Sequence, residues 1–223
     1  MAQKVNVKNV LKNIALFSKL DDHALDILVE GTRRMQCKKG DVLFSSGERC
    51  EGLHTVVYGL VKLSILSVPG VEKVVRIVHP PQNVGKPFLF SDMPYSVTAT
   101  VLEDTLIFFT SKEAIFEVMY DNPVFVNQML HGLSNWIYSL MYDIESYSLH
   151  SAAQRVIGFL LKDKEMGNGD VITLSTNKSV IASRLNITPE HFSRLLQELS
   201  HDGLIEVKGR NIRINDVERL KNY

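Results

Sequence analysis

The sequence predicts an α+β protein: an N-terminal antiparallel β-barrel of jelly-roll type, a long coiled-coil helix and a C-terminal winged helix-turn-helix. Three observations carry this expectation. Seven short β-like runs, at 35–37, 42–44, 54–58, 61–66, 73–78, 98–102 and 106–110, are separated by Gly- and Pro-bearing turns, the pattern of a small antiparallel barrel. Beyond Pro123, apolar residues recur at steps of three and four, the seam of a coiled coil. Residues 174–214 then read as two short helices, a tight turn and a small hairpin. The divisions that follow are 1–122 for the barrel domain, 123–148 for the long helix and 149–223 for the winged helix-turn-helix domain.

Taken in order, residues 5–31 have helical spacing (Val10, Leu11, Ile14, Leu16, Phe17, then Leu25, Ile27, Leu28), with Asp21 placed to cap the second part. The barrel strands follow, with turns at Gly40, Gly47, Gly59, Pro69-Gly70 and Pro80-Pro81. Ser111 is placed to cap a helix over 114–120, and Pro123 opens the long helix to about residue 148. Its seam is Leu130, Leu133, Ile137, Leu140, Ile144 and Tyr147. A helix buried in one domain shows a broader stripe, so the seam is expected to be a homodimer interface. Met129 and Trp136 lie off it, towards the barrel. A short hinge containing His150 ends at Ser151, which caps a helix over 152–162, and a Gly- and Asn-rich loop at 166–170 leads to a strand at 171–174.

The last stretch carries the sharpest signal. Asn177 is placed to cap the first helix, whose inner face is Val180, Ile181 and Leu185, and Asn186 suits a left-handed turn position. The second helix begins with Thr188 as cap, Pro189 at its first position and Glu190 at the positive end of the helix dipole. Phe192, Leu195, Leu196 and Leu199 form its apolar side, while Glu190, His191, Ser193 and Arg194 lie at its polar start. A recognition helix needs this arrangement, because its N-terminal residues meet base edges in the major groove of double-stranded DNA. A wing at 204–214 and a short helix at 216–220 close the chain. Lys178, Arg184, Lys208 and Arg210 are candidates for phosphate contacts.

Composition bounds the function classes. The 223 residues are 45% hydrophobic and 22% charged, which fits a folded chain. No apolar run is long enough to span a membrane, and the lysine-interrupted start has no signal-peptide core, so a cytoplasmic location is expected. Net charge is zero, with 14 Lys+Arg against 16 Asp+Glu in residues 1–149 and 11 against 9 in residues 150–223. DNA specificity must then come from placed side chains and from doubling contacts in a dimer. Cys37 and Cys50 belong to no zinc-spaced cluster, and no metal site is expected. No zinc-protease, serine-triad or phosphate-loop motif is present, so an enzyme is not expected.

The order of parts resembles the CRP/FNR family of bacterial transcription regulators over nearly the whole chain. The motifs are Leu16-Phe17 and Leu20, the run 39–63 (KGDVLFSSGERCEGLHTVVYGLVKL), Gly85, the recognition-helix residues Glu190 to Leu196, and Gly203-Leu204-Ile205 at the wing. The resemblance implies a cyclic-nucleotide-binding-like sensor barrel and RNA polymerase as a partner. It also implies two departures. Family members that bind cyclic nucleotides carry Gly-Glu-Leu and Arg-Ser/Thr-Ala runs, which here read Gly85-Lys86-Pro87 and Tyr95-Ser96-Val97. Lys86 accepts no ribose proton, Pro87 lacks a donor and Tyr95 has no charge for the phosphate, so cAMP is not expected. Residues 1–36 contain no cysteine, which removes the iron–sulfur cluster of the oxygen-sensing branch.

Glu190, Ser193 and Arg194 match the Glu-x-x-Ser-Arg pattern of the FNR and Dnr-like branch and are the expected base readers. Arg pairs guanine, Glu accepts from a cytosine amino group and Ser makes a shorter contact. The expectation is a TTGAT-like half-site rather than TGTGA. Three effectors stay open. Dnr-like members imply nitric oxide through haem, with His54, His79, His131 or His150 as axial ligand. Cys37 and Cys50 could form a redox pair. A small apolar or anionic metabolite could bind beside Lys86, Tyr95 and Ser96.

Overall fold

A computed structural model describes residues 6–68, 70–91, 93–166 and 171–223. The expected turn residue Pro69, the loop residues 167–170 and the start of the first expected helix at residue 5 lie outside the described residues. The chain forms two compact units, residues 1–139 and 140–223, each with its own apolar core.

In the first unit, α1 (Val7–Lys12) is capped by Asn6 and α2 (Asp22–Glu30) by Asp21, whose carboxylate accepts from the Ala24 amide at 2.8 Å. Strands β1 (Thr32–Cys37), β2 (Val42–Phe44), β3 (Gly52–Tyr58), β4 (Val61–Leu66), β5 (Glu72–Val78) and β6 (Asn83–Val84) precede the single-turn helix α3 (Lys86–Leu89). Strands β7 (Thr98–Val101) and β8 (Thr105–Ser111) follow it. They build two antiparallel four-stranded sheets, ordered β1-β8-β3-β6 and β2-β7-β4-β5. Phe44, Leu53, Val56, Val61, Ala99 and Phe108 from both sheets share one core. All seven expected strands are present; β6 and α3 are additional, and both are too short to leave a periodicity in the sequence. Gly59 turns β3 into β4 at φ +90°, and a Cβ there would stand 2.2 Å from the Thr105 hydroxyl, so only glycine fits.

Ser111 caps α4 (Lys112–Asp121), and Asn122 accepts from the Phe125 amide at 2.9 Å where Pro123 opens α5 (Pro123–Leu149). Phe125 and Met129 are buried on the barrel side of α5, and Trp136 is partly buried. They are spaced to share one face with Gly132. The seam side is different: Leu130, Ile137 and Ile144 are 55%, 54% and 65% exposed, too much apolar surface on one stripe for a lone helix.

In the second unit, Ser151 and Gln154 exchange side-chain and backbone hydrogen bonds (2.8 and 3.2 Å), a capping box for α6 (Ala152–Met166). Strand β9 (Val171–Thr173) leads to α7 (Lys178–Arg184) and α8 (Pro189–His201). The hairpin β10 (Ile205–Lys208) and β11 (Asn211–Ile214) pairs with β9 in the order β10-β11-β9, and α9 (Val217–Lys221) closes the unit. Phe192, Leu196, Leu199, Ile181, Leu160 and Ile212 meet in its core. Among the described residues, no helix is long and apolar enough to cross a membrane.

Candidate nucleic-acid interface and sensor pocket

The α7–α8 pair is fixed by its own caps. Asn177 accepts from the Val180 amide at 2.9 Å, and Thr188 accepts from the His191 amide at 3.2 Å. Asn186 stands at φ 58° in the turn, the left-handed position its side chain tolerates. Burial of Phe192, Leu195, Leu196 and Leu199 sets the rotation of α8. Thr188, Pro189, Glu190 and Arg194 are then exposed at one end of the helix, with His191 and Ser193 half-buried beside them. Arg194 lies 3.7 Å from Glu198 on the next turn, an exposed pair that holds the guanidinium loosely and leaves it free to reach outward.

The four expected phosphate contacts divide in two. Lys178 is half-buried and Lys208 is exposed at the wing, paired at 2.7 Å with Glu206. Arg184 is largely buried and paired within the protein, which corrects the expectation for it, while Arg210 is exposed but held by the chain's own backbone. Arg210 donates from Nε and Nη2 to the Leu174 carbonyl at 3.0 and 2.7 Å, tying the wing to the strand before α7. Arg184 donates from Nη2 to both oxygens of Asp143 at 2.7 and 2.8 Å, with side chains only 23% and 19% exposed. Its Nη1 also meets the Tyr147 hydroxyl, which donates to the Arg184 carbonyl at 2.7 Å. Tyr147, expected as the last seam position, is thus turned to α7, because its hydroxyl finds partners there that an apolar seam lacks. Arg155 adds bonds to the carbonyls of Leu185 and His150 at 2.9 and 2.7 Å. This clasp of Asp143, Tyr147, Arg155 and Arg184 was not visible in the sequence, since its partners lie 30 to 41 residues apart for all but the Arg155–His150 bond.

In the barrel, Tyr95 is 3% exposed and lies flat on Phe44 at 3.7 Å, with Phe88 edge-on at 5.1 Å. Burial, then the Cys50 thiol beside it, raises its phenol above the ordinary range. Tyr95 is therefore a wall of the pocket. Ser96, in the bend before β7, is exposed while Tyr95 is buried, so it stands apart from the other expected effector-site residues. Lys86 reaches α5: a Cβ at Gly132 would lie 2.8 Å from its Nζ. Burial, then Arg76, holds that ammonium below the usual lysine value.

The expected cysteine pair is also corrected. Cys37 pairs with Thr105 at one end of β8, whereas Cys50 precedes Gly52, which pairs with Ser111 at the other end. Six strand residues separate those ends by about 20 Å, far beyond a disulfide's Cα reach of roughly 7 Å. Both thiols are buried, and burial, then Asp41, raises that of Cys37.

The histidines are scattered. His54 is 4% exposed between Phe44 and Phe109 (ring centroids 5.3 and 4.9 Å), and its Nδ1 has no hydrogen-bond partner. His79 is half-buried after β5, His131 is exposed on α5 beside Asn135, and His150 is half-buried after α5. Among the described residues, no three His, Cys, Asp or Glu side chains gather to hold a metal.

A jelly-roll barrel, a helix with an exposed apolar stripe and a winged helix-turn-helix define a ligand-responsive, DNA-binding regulator without enzymatic activity. Residues 34–122 match the cyclic nucleotide-binding domain and residues 154–223 the Crp-like helix-turn-helix domain. The chain belongs to the CRP/FNR family of transcription regulators. A CRP-like cAMP-activated global transcriptional regulator of Mycobacterium tuberculosis is 21% identical over 216 residues, 95% of this chain and 96% of its own length. FixK2 from Bradyrhizobium japonicum has the same fold, with a TM-score of 0.79 at 20% identity, covering 86% of this chain and 96% of its own. DNR from Pseudomonas aeruginosa is 28% identical, with a TM-score of 0.53, over 97% of this chain and 96% of its own.

Proposed function

We propose that this chain acts in the cytoplasm as a homodimer that reads a TTGAT-like palindrome, contacts RNA polymerase, and is gated by an effector other than cAMP. The observation that carries the DNA reading is the cluster at the N-terminal end of α8, with Glu190 and Arg194 exposed and Ser193 half-buried beside them. Arg194 pairs a guanine, Glu190 accepts from a cytosine amino group, and Lys178 and Lys208 hold phosphates. Two recognition helices then meet half-sites about one helical turn, ~34 Å, apart. A binding selection from random duplex DNA should enrich TTGAT-like palindromes; enrichment of TGTGA half-sites, or of no palindrome, overturns the reading. Arg194→Ala should cost about 1–3 kcal/mol and relax one base position, whereas Lys208→Ala should weaken all sites alike and lower the salt slope.

The case against cAMP is Tyr95, standing where cyclic-nucleotide binders of the family carry an Arg: it is buried against Phe44 and offers no charge. A second reading, haem with nitric oxide, draws on the likeness to DNR and on the orphaned imidazole nitrogen of His54. The residues fit haem poorly, because Phe44 and Phe109 pack against the His54 ring and His131 faces solvent. Haem added to the purified protein should give no Soret band that shifts with nitric oxide; such a band, lost in His54→Ala, restores that reading.

A further inference from the structure

We propose that the gap in the barrel-facing side of α5 at Gly132, with the Lys86 ammonium aimed into it, is a binding site for the carboxylate or phosphate group of a small anionic metabolite. The proposal rests on the reading of the barrel as an effector domain and names the chemistry of its ligand.

The geometry begins with the helix. Phe125 and Met129 cover the barrel, and Trp136 is partly buried; between the last two, at helical spacing, stands a residue without a side chain. Lys86 fills part of that space, since a Cβ at Gly132 would stand 2.8 Å from its Nζ and 3.7 Å from its Cδ and Cε. The turn that delivers it is fixed: Gly85 sits at φ +110°, and a Cβ there would come within 3.1 Å of the Gly52 carbonyl. Among the described residues Lys86 makes no hydrogen bond or ion pair, whereas Lys62, also half-buried, is paired to Glu72 at 2.5 Å.

A partly buried ammonium without a counter-charge is costly, and proteins pair such groups or neutralise them. Here a second cation, Arg76, which donates to Gln82 at 3.4 Å, adds to the positive field instead of relieving it. An oxyanion supplies the missing partner and a charge-assisted hydrogen bond. A cyclic nucleotide is not the ligand on this reading, because the buried Tyr95, stacked on Phe44, offers its phosphate no charge. The site is also well placed for signalling, as Gly132 lies between Leu130 and Leu133 of the seam stripe.

Inorganic phosphate and succinate are suitable probes, titrated into the full-length protein at constant ionic strength with chloride as the control. One or both should raise Tm saturably by roughly 2–4 °C over chloride. The response should vanish in Lys86→Met and persist in Lys86→Arg. Gly132→Ala is a second variant: its methyl displaces only the flexible end of Lys86, so the fold should stand while the response is lost. No rise over chloride, or an equal rise in Lys86→Met and Gly132→Ala, overturns the site. Palindrome binding by the same preparations is read separately, so loss of TTGAT selection with the anion response intact overturns the DNA reading and not this one.

Discussion

His54 is a neutral imidazole held inside the barrel by two aromatic rings, and burial, then the nearby Arg33, lowers its pKa from 6.5 to about 4. The folded state therefore refuses a proton that the unfolded chain accepts. The stability this gives is complete above pH 6.5 and is lost as pH falls from there towards 4, by roughly 3 kcal/mol in all. Denaturant titrations at a series of pH values should show that slope in the wild type, and His54→Leu should flatten it. The same scale explains why some site residues were legible and others were not. The place of Glu190, Ser193 and Arg194 at the start of α8 was legible because cap, proline and apolar face all act within one helix. Tyr95 and Ser96 part company, one buried and one exposed, because they lie in an irregular segment before β7 where packing alone decides which side chain goes in.

At the level of elements, the end of α5 and the helix-turn-helix are joined by the Asp143–Arg184 pair, the Tyr147 hydroxyl and Arg155. Both charges are largely buried, so breaking one leaves the other uncompensated. Arg184→Met and Asp143→Asn should each destabilise residues 140–223, and the double variant should be less costly than their sum. A double-mutant cycle by scanning calorimetry should give a coupling of about 1–3 kcal/mol; additivity would remove the clasp. The longer helices, most of their caps and the wing were readable from the sequence, since these depend on contacts three or four residues apart, whereas α3 and the break between α1 and α2 were not. The clasp was not, and neither was the separation of Cys37 from Cys50, which follows from strand pairing along β8.

For the whole molecule, the exposed stripe of Leu130, Ile137, Met141 and Ile144 is the surface that a second copy of α5 would cover. Ile137→Glu should shift sedimentation from dimer towards monomer and weaken binding to the palindrome far more than to a single half-site. A dimer that survives this change would move the interface elsewhere.

The sequence by itself determined the order of parts, the strand-rich barrel, the long helix with its seam, and the polar start of the recognition helix, because these rest on local periodicity and capping. Tertiary structure decided which charged residues remain available. It turned Arg184 and Arg210 to the protein's own acceptors, buried Tyr95, parted the two cysteines, and left Lys86 without a partner among the described residues. Each of those outcomes depends on residues brought together from distant parts of the chain, and no spacing along the sequence records such meetings.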